Sequence, residues 1–370
     1  MSDRPEVFRT AASHLGARFQ RDPRLRLAAV ITTLQVLGQT VLGFKLSIAQ
    51  ILVSLLVCGI LEAAITYRRQ KAIVWPASAV LTGNSVAFIL RTTGTQHGDW
   101  WSLNGIQFFV LAAGIGILSK YLIRPGGRHI YNPSNIGLVV VLLIAGPTHV
   151  FPQYLWWGPM NLPVALAWAV IIGGAIWVLW PLRMGPMVAA FAATFTAVIT
   201  VFAFQDQCFY AVWRATPVCG LNYWIGIVTS PELAIFVLLM MSDPKTSPAG
   251  SLGRVIYGCA TALVAAALIY VQPSEWGIKL ALLASLTIVC SVVPLIERGQ
   301  ARLTHHPRAA PAAPTRRVSA RPLVLAAWVL SALTVVAVTV AVPLAVVAVA
   351  NDQEVLRVDH PSSPNTPGLQ

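Results

Sequence analysis

Eleven long runs of mostly apolar residues constrain the fold of this chain more than any other feature. A run of about 18 or more such residues can cross the hydrocarbon core of a bilayer as a helix. Only 11% of the residues are charged and the mean hydropathy is +0.69, which excludes an ordinary soluble domain, where about a quarter of residues are charged. We therefore predict an all-α polytopic membrane protein with spans near residues 26–44, 47–66, 73–91, 104–122, 134–151, 163–181, 186–205, 223–242, 255–271, 278–296 and 322–350.

The basic residues are distributed unevenly between the connections that join these spans. If the N-terminus is cytoplasmic, 21 of the 26 Lys and Arg residues lie on the cytoplasmic side. Such an excess is the positive-inside rule, and it predicts a multi-pass protein of a bacterial inner membrane with its C-terminal tail outside. The net charge of +13 follows from this topology, so the lipid bilayer is a predicted partner and nucleic acid is not.

A segment rich in Pro, Ala and Arg separates the eleventh span from the other ten. We predict a cytoplasmic basic N-terminus (1–25), a ten-span membrane domain (26–298), a cytoplasmic linker (299–321), an additional transmembrane helix (322–350) and an outer tail (351–370). Ten spans divide into two sets of five. Because each set has an odd number of spans, the second set crosses the membrane in the opposite direction to the first. The expected fold is a ten-helix body of two inverted five-helix repeats with broken helices.

The third span of each half contains helix-weakening residues near its middle, namely Thr-Gly-Asn-Ser at 82–85 and Thr-Ser-Pro-Glu at 229–232. Proline removes a backbone donor, and lipid cannot satisfy the backbone groups that a break exposes. Matching breaks in two halves predict a central binding site, with ordinary Pro and Gly kinks as the alternative. The residues of this predicted site are Gly83, Asn84, Thr229, Ser230 and Glu232.

Two glutamates lie within predicted spans. A carboxylate in hydrocarbon costs about 2.5–3.5 kcal/mol on insertion scales, so each should contact a cavity or a partner. We expect Glu232 to contact a ligand or an ion, and Glu62 to pair with Arg68 or Arg69.

Two polar segments lie at helix ends on the predicted cytoplasmic side. The segment RPGGRHIYNPSNIG places Asn132 as an N-cap before Pro133, and MMSDPKTSPAGSLGR forms a tight turn after the eighth span. One interpretation is that Asn132 only caps a helix and that the basic residues beside it only set the orientation of the chain in the membrane. The other is a site for an anion or an aromatic ring, because free amides at a helix N-terminus attract negative charge.

Cys208 and Cys219 share one predicted outer loop, where a disulfide can form, and two unpaired thiols are the alternative. The sequence contains no motif for a metal site and no soluble catalytic motif, so we predict no metal and assign no catalytic residue.

Three segments resemble the RnfD/NqrB family of membrane electron-transport subunits. They are AQILVSLLVCGILEAAITYRRQK, SKYLIRPGGRHIYNPSNIGLVVVLLIAGP and LLMMSDPKTSPAGSLGRVIYGCATALVAAAL. The finer resemblance, in GQTVLGFKLSIAQ, RHIYNPSNIG and MSDPKTSP, is to the UnbU branch, named for enediyne biosynthesis. This resemblance implies an inverted-repeat fold and flavin-linked electron transfer. The cofactor-binding residues that it implies are Arg128, His129, Asn132, Pro133, Asn135, Asp243 and Thr246.

The sequence departs from that family at one point. The family carries covalent FMN on a threonine in a Ser-Gly-Ala-Thr-like motif, which is missing here, and the nearest imitation is RATPVC around Thr216. We therefore expect a non-covalent flavin, FMN or riboflavin, and not a covalent one.

Three functions remain open from the sequence. The first is flavin-linked electron transfer with other membrane redox subunits or biosynthetic enzymes as partners. The second is an inverted-repeat transporter that passes a polar solute or an ion. The third is a membrane scaffold for a biosynthetic complex.

Overall fold

The computed structural model describes residues 22–71, 76–124, 127–153 and 160–304. The predicted extra transmembrane helix, the outer tail, residues 1–21 and most of the linker lie outside these residues. The first half contains α1 (Pro23–Thr40), α2 (Ile48–Gln70), α3 (Ala77–Ile89), β1 (Leu90–Thr92), α4 (Ile106–Leu122), α5 (Pro133–His149) and β2 (Val150–Pro152).

The second half begins with α6 (Leu162–Leu179), α7 (Gly185–Phe204), β3 (Cys208–Phe209) and β4 (Val218–Cys219). It continues with α8 (Gly220–Val228), α9 (Pro231–Ile235), a π-helical turn (Phe236–Met240), α10 (Ser251–Tyr270) and α11 (Glu275–Thr304).

The described part of the chain has six helical segments that are long and apolar enough to cross a membrane. They are α2, α6, α7, the segment from α8 through the π-helical turn, α10 and α11, while α3, α4 and α5 are shorter apolar helices. On α2, Leu52, Leu56 and Ile60 form an exposed stripe at four-residue spacing, as expected for a face in contact with lipid. These features make the chain a multi-pass membrane protein.

Local sequence explains where several helices begin. The Asp22 carboxylate caps α1 by accepting a hydrogen bond from the Arg24 amide at 3.0 Å, and Pro23 occupies the first turn. Ser47 and Gln50 form a reciprocal capping box at the start of α2. Asn132 caps α5 in the same manner as Asp22 caps α1.

The third span of each half departs from regular helix, but not where the sequence predicted in the first half. The helix α3 continues unbroken through Thr82–Ser85 and ends at Ile89, after which β1 pairs antiparallel with β2. In the second half the break lies at Thr229 and Ser230, as the proline at position 231 predicts. Strand pairing satisfies the backbone groups of the extended segment, which lipid could not.

Helix contacts follow a regular plan within each half. Helix α4 packs against α2 and α5, and α10 packs against α7 and α11. The two halves meet where α1 contacts α6 and where α5 contacts α11.

Close approach of α4 and α5 depends on glycine. A Cβ atom at Gly116 would lie 2.6 Å from the Pro133 carbonyl oxygen, while a Cβ atom at Gly114 on the same helix would meet open space. Gly137 on α5 faces the Ala112 carbonyl in the same way.

Substitution of the two α4 glycines should therefore have opposite effects on stability. Gly116→Ala forces α5 away from α4 and should destabilise the protein by about 1–3 kcal/mol. Gly114→Ala is the matched control, and it should be neutral or slightly stabilising because alanine favours helix. Thermal unfolding of the detergent-purified variants measures both effects. Equal melting temperatures for the two variants would contradict this packing.

Candidate functional site

The sequence contains three Asp-Pro or Asn-Pro pairs, and all three line a single cavity. The pairs are Asp22–Pro23, Asn132–Pro133 and Asp243–Pro244, and we call their common space the Asx-Pro cavity. Its volume is about 590 Å³, within the range of small-molecule and cofactor sites. Two of the pairs begin α1 and α5, so the N-termini of both helices lie at this cavity.

The walls of the cavity combine apolar and polar side chains. Helices α1, α3, α5 and α6 and the turn after the π-helical segment supply them. The apolar lining residues include Leu25, Leu27, Leu81, Val178 and Leu182, and the hydroxyl-bearing ones are Ser78, Thr82, Ser85, Ser134 and Ser242. Arg24, Lys245 and His129 add basic side chains. The cavity therefore offers a flat molecule an apolar surface with hydrogen-bonding groups beside it.

Asn132 joins two elements at the cavity. Its Oδ1 atom accepts hydrogen bonds from the Ser134 hydroxyl at 2.9 Å and from the Asn135 amide at 3.4 Å, which caps α5. Its Nδ2 atom donates to the Met240 carbonyl at 3.2 Å, so the start of α5 is held against the end of the π-helical turn.

Asp243 organises the turn that follows the π-helical segment. Its carboxylate accepts a hydrogen bond from the Lys245 amide at 3.0 Å, and its carbonyl accepts from the amides of Thr246 and Ser247. Burial raises the pKa of the Asp243 carboxyl above its ordinary value of 3.8. Burial also lowers the pKa of Lys245, with the positive charge of Arg24 as a further cause.

At the start of α1, the Arg24 side chain binds Asp22 at 2.8 Å. This hydrogen bond is the main reason that the pKa of Asp22 lies below its usual value. The cavity thus contains two carboxyl groups and two cationic side chains in addition to the two helix N-termini.

His129 is 9% exposed and lines the cavity. Burial, together with the positive charges of nearby Lys and Arg residues, lowers the pKa of His129 to about 4. His129 is therefore a neutral hydrogen-bonding group at pH 7, and not a cation as the basic segment around it suggested.

Three of the residues implied by the resemblance lie outside the cavity lining. The Arg128 side chain is 43% exposed and pairs with Glu297 at 3.1 Å. The Asn135 amide group donates to the Leu283 carbonyl and the Thr287 hydroxyl, which anchors α5 to α11. The Thr246 hydroxyl contacts the Asp243 carbonyl within its own turn. The structure brings together His129, Asn132, Pro133 and Asp243.

Of the residues of the predicted central site, Ser230 and Glu232 line one small cavity, and Gly83, Asn84 and Thr229 are not part of that lining. Gly83 packs closely against the Ser54 backbone, and the Asn84 side chain donates to the Ala28 carbonyl and to the Thr32 hydroxyl. Both contacts hold α3 against its neighbours.

In the second half, the exposed Thr229 donates its hydroxyl hydrogen bond to the Ile225 carbonyl of its own helix. Ser230 caps α9, and Glu232 forms an ion pair with Lys279 of α11 at 2.8 Å.

Glu62 pairs with Lys120 of α4 at 2.8 Å, and not with the arginines next to it in sequence. The Lys120 ammonium also donates to the Ser78 hydroxyl at 3.0 Å, and Ser78 lines the Asx-Pro cavity. Arg69 instead lies over the Tyr121 ring.

The structure has a disulfide between Cys208 and Cys219, which joins β3 to β4. Thr216 lies in this hairpin, where its exposed hydroxyl accepts a hydrogen bond from Arg214 at 2.9 Å. The segment from α8 to Met240 is long enough to cross a membrane, and it separates the hairpin from the turn at Asp243. The disulfide and the Asx-Pro cavity therefore lie at opposite ends of the bundle. The described residues contain no group of three or more His, Cys, Asp or Glu side chains suited to a metal ion.

Sequence reasoning missed the contribution of α1, α3 and α6 to the cavity. The Asp22–Pro23 pair carried a usable signal, because it repeats the helix-start chemistry of Asn132–Pro133 and Asp243–Pro244. Hydroxyls such as Ser78 and apolar residues such as Val178 carried none, since their types are common in membrane helices.

Comparison with models of protein families and with curated proteins found no match to this chain.

His129 should make stability depend on pH. In the unfolded chain its pKa returns to about 6.5, so between about pH 6.5 and about pH 4 the unfolded state binds more protons than the folded state. Acidification through this range should therefore lower the melting temperature. His129→Gln should reduce this fall in melting temperature. His149→Gln changes an exposed histidine outside the cavity, and it should show the same fall as the wild type. Parallel pH profiles for wild type and His129→Gln would contradict the assignment.

Proposed function

We propose that this protein binds a flavin non-covalently in the Asx-Pro cavity and serves in membrane electron transfer, as the resemblance to the RnfD/NqrB family and its UnbU branch implies. The observation that carries the proposal is the convergence of two segments, around Asn132 and Asp243, that are about 110 residues apart in sequence. Both segments were singled out by the resemblance. Their meeting at a cavity of cofactor size supports a shared binding role.

The lining residues fit a flavin in three respects. Val178, Leu182 and Leu81 offer an apolar surface for a flat ring system. Asn132 and Ser134 line the cavity and would supply hydrogen-bonding groups to ring heteroatoms, although the cap of α5 already uses part of their capacity. The N-termini of α1 and α5, together with Lys245, favour an anionic group such as a phosphate or a reduced ring.

A bound flavin would supply one- and two-electron redox chemistry. The residues of this chain would bind and orient it and exclude water. Asp243, whose carboxyl has a pKa raised by desolvation, is suited to hold a proton at the cavity. His129 stays neutral at pH 7 and so accepts or donates a hydrogen bond without adding charge.

The topology proposed for this function has two inverted five-helix repeats, with the Asx-Pro cavity on the cytoplasmic side of a bacterial inner membrane. Matching contacts of α4 and α10 within the two halves support the repeat. Contacts between equivalent helices, α1 with α6 and α5 with α11, are those that a two-fold axis in the membrane plane would create. The excess of basic residues at this end supports the orientation. The electron partners would be other membrane redox subunits or biosynthetic enzymes.

Flavin binding can be tested by titrating the detergent-purified protein with FMN and with riboflavin while flavin fluorescence is recorded. Asn132→Ala and Asp243→Ala should each raise the Kd for flavin about tenfold or more. A tenfold change in Kd corresponds to about 1.4 kcal/mol of binding free energy. Val178→Phe narrows the apolar wall without removing a cap and should weaken binding as well. Arg128→Ala is the matched control, because it lies in the same motif but outside the cavity lining, and it should bind as wild type does.

Acid precipitation of the purified protein adds a second readout. Flavin released into the supernatant supports the non-covalent cofactor, whereas flavin retained in the pellet contradicts it. A colourless protein that binds neither FMN nor riboflavin would overturn the proposal and favour transport of a polar solute or an ion.

A further inference from the structure

A second charged cluster lies toward the disulfide end of the bundle. The Lys279 ammonium is 2.8 Å from a Glu232 carboxylate oxygen and 2.7 Å from a Glu275 carboxylate oxygen. We call these three residues the Glu-Lys-Glu cluster. All three side chains are at least four-fifths buried, and two of them lie on α11.

Two small cavities, each of about 40 Å³, adjoin this cluster. The first is lined by Trp213, Ser230 and Glu275, and the second by Ile89, Gln153 and Met240. Glu232 and Lys279 line both cavities, so their ion pair lies between the two spaces. A water molecule needs about 10–15 Å³ of such space, so each cavity is large enough for water.

Gln153 gives the second cavity a buried hydrogen-bond acceptor. This residue is 2% exposed, and its Oε1 atom has no hydrogen-bond partner among the described residues. A buried amide oxygen left without a partner costs about 1–3 kcal/mol. A water molecule that donates to Gln153 and to the Glu232 carboxylate would remove that cost.

Charge and ligand number favour a proton over a metal ion as the species that binds here. The three groups carry two negative charges and one positive charge, and a net charge is costly within a membrane. Uptake of one proton makes the cluster neutral. A hard metal cation needs a shell of several oxygen ligands, whereas apolar residues such as Phe236 and Leu283 form most of the second cavity.

We propose that the Glu-Lys-Glu cluster, with the water-sized cavities on both sides of it, is a proton-binding site that exchanges protons with the aqueous phase at the disulfide end. Access lies along the first cavity. Trp213, in the disulfide hairpin, lines this cavity and is 44% exposed, and the Glu275 carboxylate accepts a hydrogen bond from the Val212 amide of the same hairpin.

The proton step is a simple transfer. A hydronium ion in the first cavity donates its proton to the Glu232 carboxylate, which leaves neutral water and a carboxylic acid. Lys279 keeps its proton and its ion pair with Glu275. Release is the reverse reaction, in which the Glu232 carboxyl returns the proton to water and pairs with Lys279 again.

The charged groups around Glu232 include side chains of α11 and β1. Glu275 and Lys279 face it from α11. From β1, the Arg91 guanidinium lies 5.6 Å from the centre of the Phe151 ring, and the Lys279 ammonium lies 5.7 Å from the same centre. Arg91 therefore adds positive potential at this ring.

The site is also linked to the other end of the bundle. Met240 lines the second cavity, and its carbonyl accepts the hydrogen bond from Asn132, which lines the Asx-Pro cavity. Met240 thus takes part in both the proton site and the proposed flavin site. Proton binding at the cluster does not require a flavin, so the two proposals can fail separately.

Infrared spectroscopy of the full chain in liposomes tests the proposal without any electron donor. On acidification from about pH 9 to about pH 5, the range in which perturbed carboxyls titrate, the wild type should gain a carboxylic-acid band that shifts in D₂O. Glu232→Gln should abolish this band. Glu62→Gln is the matched control, because it removes a buried glutamate paired with lysine at the opposite end, and it should keep the band.

Two further variants keep the test decisive if Glu232→Gln does not fold. Glu232→Asp retains a carboxyl group, so its band should persist with a changed frequency. Lys279→Met removes the cation, and it should move the titration midpoint to higher pH. A wild-type band that is missing, that fails to shift in D₂O, or that is unchanged in both Glu232 variants would overturn the proposal.

Discussion

The structure depends on one constraint: within a bilayer, polar groups must find their partners in the protein, because lipid offers none. The extended segment after α3 meets this requirement by pairing β1 with β2, and the Trp276 indole donates to the Val150 carbonyl beside it. The Asn84 side chain donates a hydrogen bond to the Ala28 carbonyl of α1, and the Lys279 ammonium lies between two glutamate carboxylates. The extended segment after α3 thus finds its partner in β2, and the buried Lys279 finds its partners in two glutamates.

The same constraint explains why helix starts and a candidate cofactor site coincide. A helix N-terminus has unsatisfied amides that need a cap, and the Asx-Pro pairs at α1 and α5 provide one. The capped ends of these two helices and the Asp243 turn meet at one cavity, so the polar groups of all three line the same space. Residues that begin helices therefore also form the walls of a cavity of about 590 Å³, which connects local folding to ligand binding.

The arrangement separates two kinds of chemistry along the bundle. The Asx-Pro cavity combines an apolar surface with cationic side chains and helix N-termini, as a flat anionic cofactor requires. The Glu-Lys-Glu cluster combines carboxylates with spaces large enough only for water-sized species. Met240, which lies at the end of the π-helical turn, contacts both regions, and such turns often occur at functional sites. A proton site and a redox site that share this contact would suit a protein that couples the two.

The sequence by itself determined that the chain enters a membrane many times, because long apolar runs have no other stable environment. It also determined the break at Ser230 and the start of α5, since proline and cap residues act within a few positions of themselves. Only the tertiary structure decided that Glu62 pairs with Lys120, that Arg128 lies outside the cavity lining, and that α3 is continuous through Gly83. These outcomes depend on which helices become neighbours, and contacts between residues far apart in the chain leave no periodic signal in one sequence.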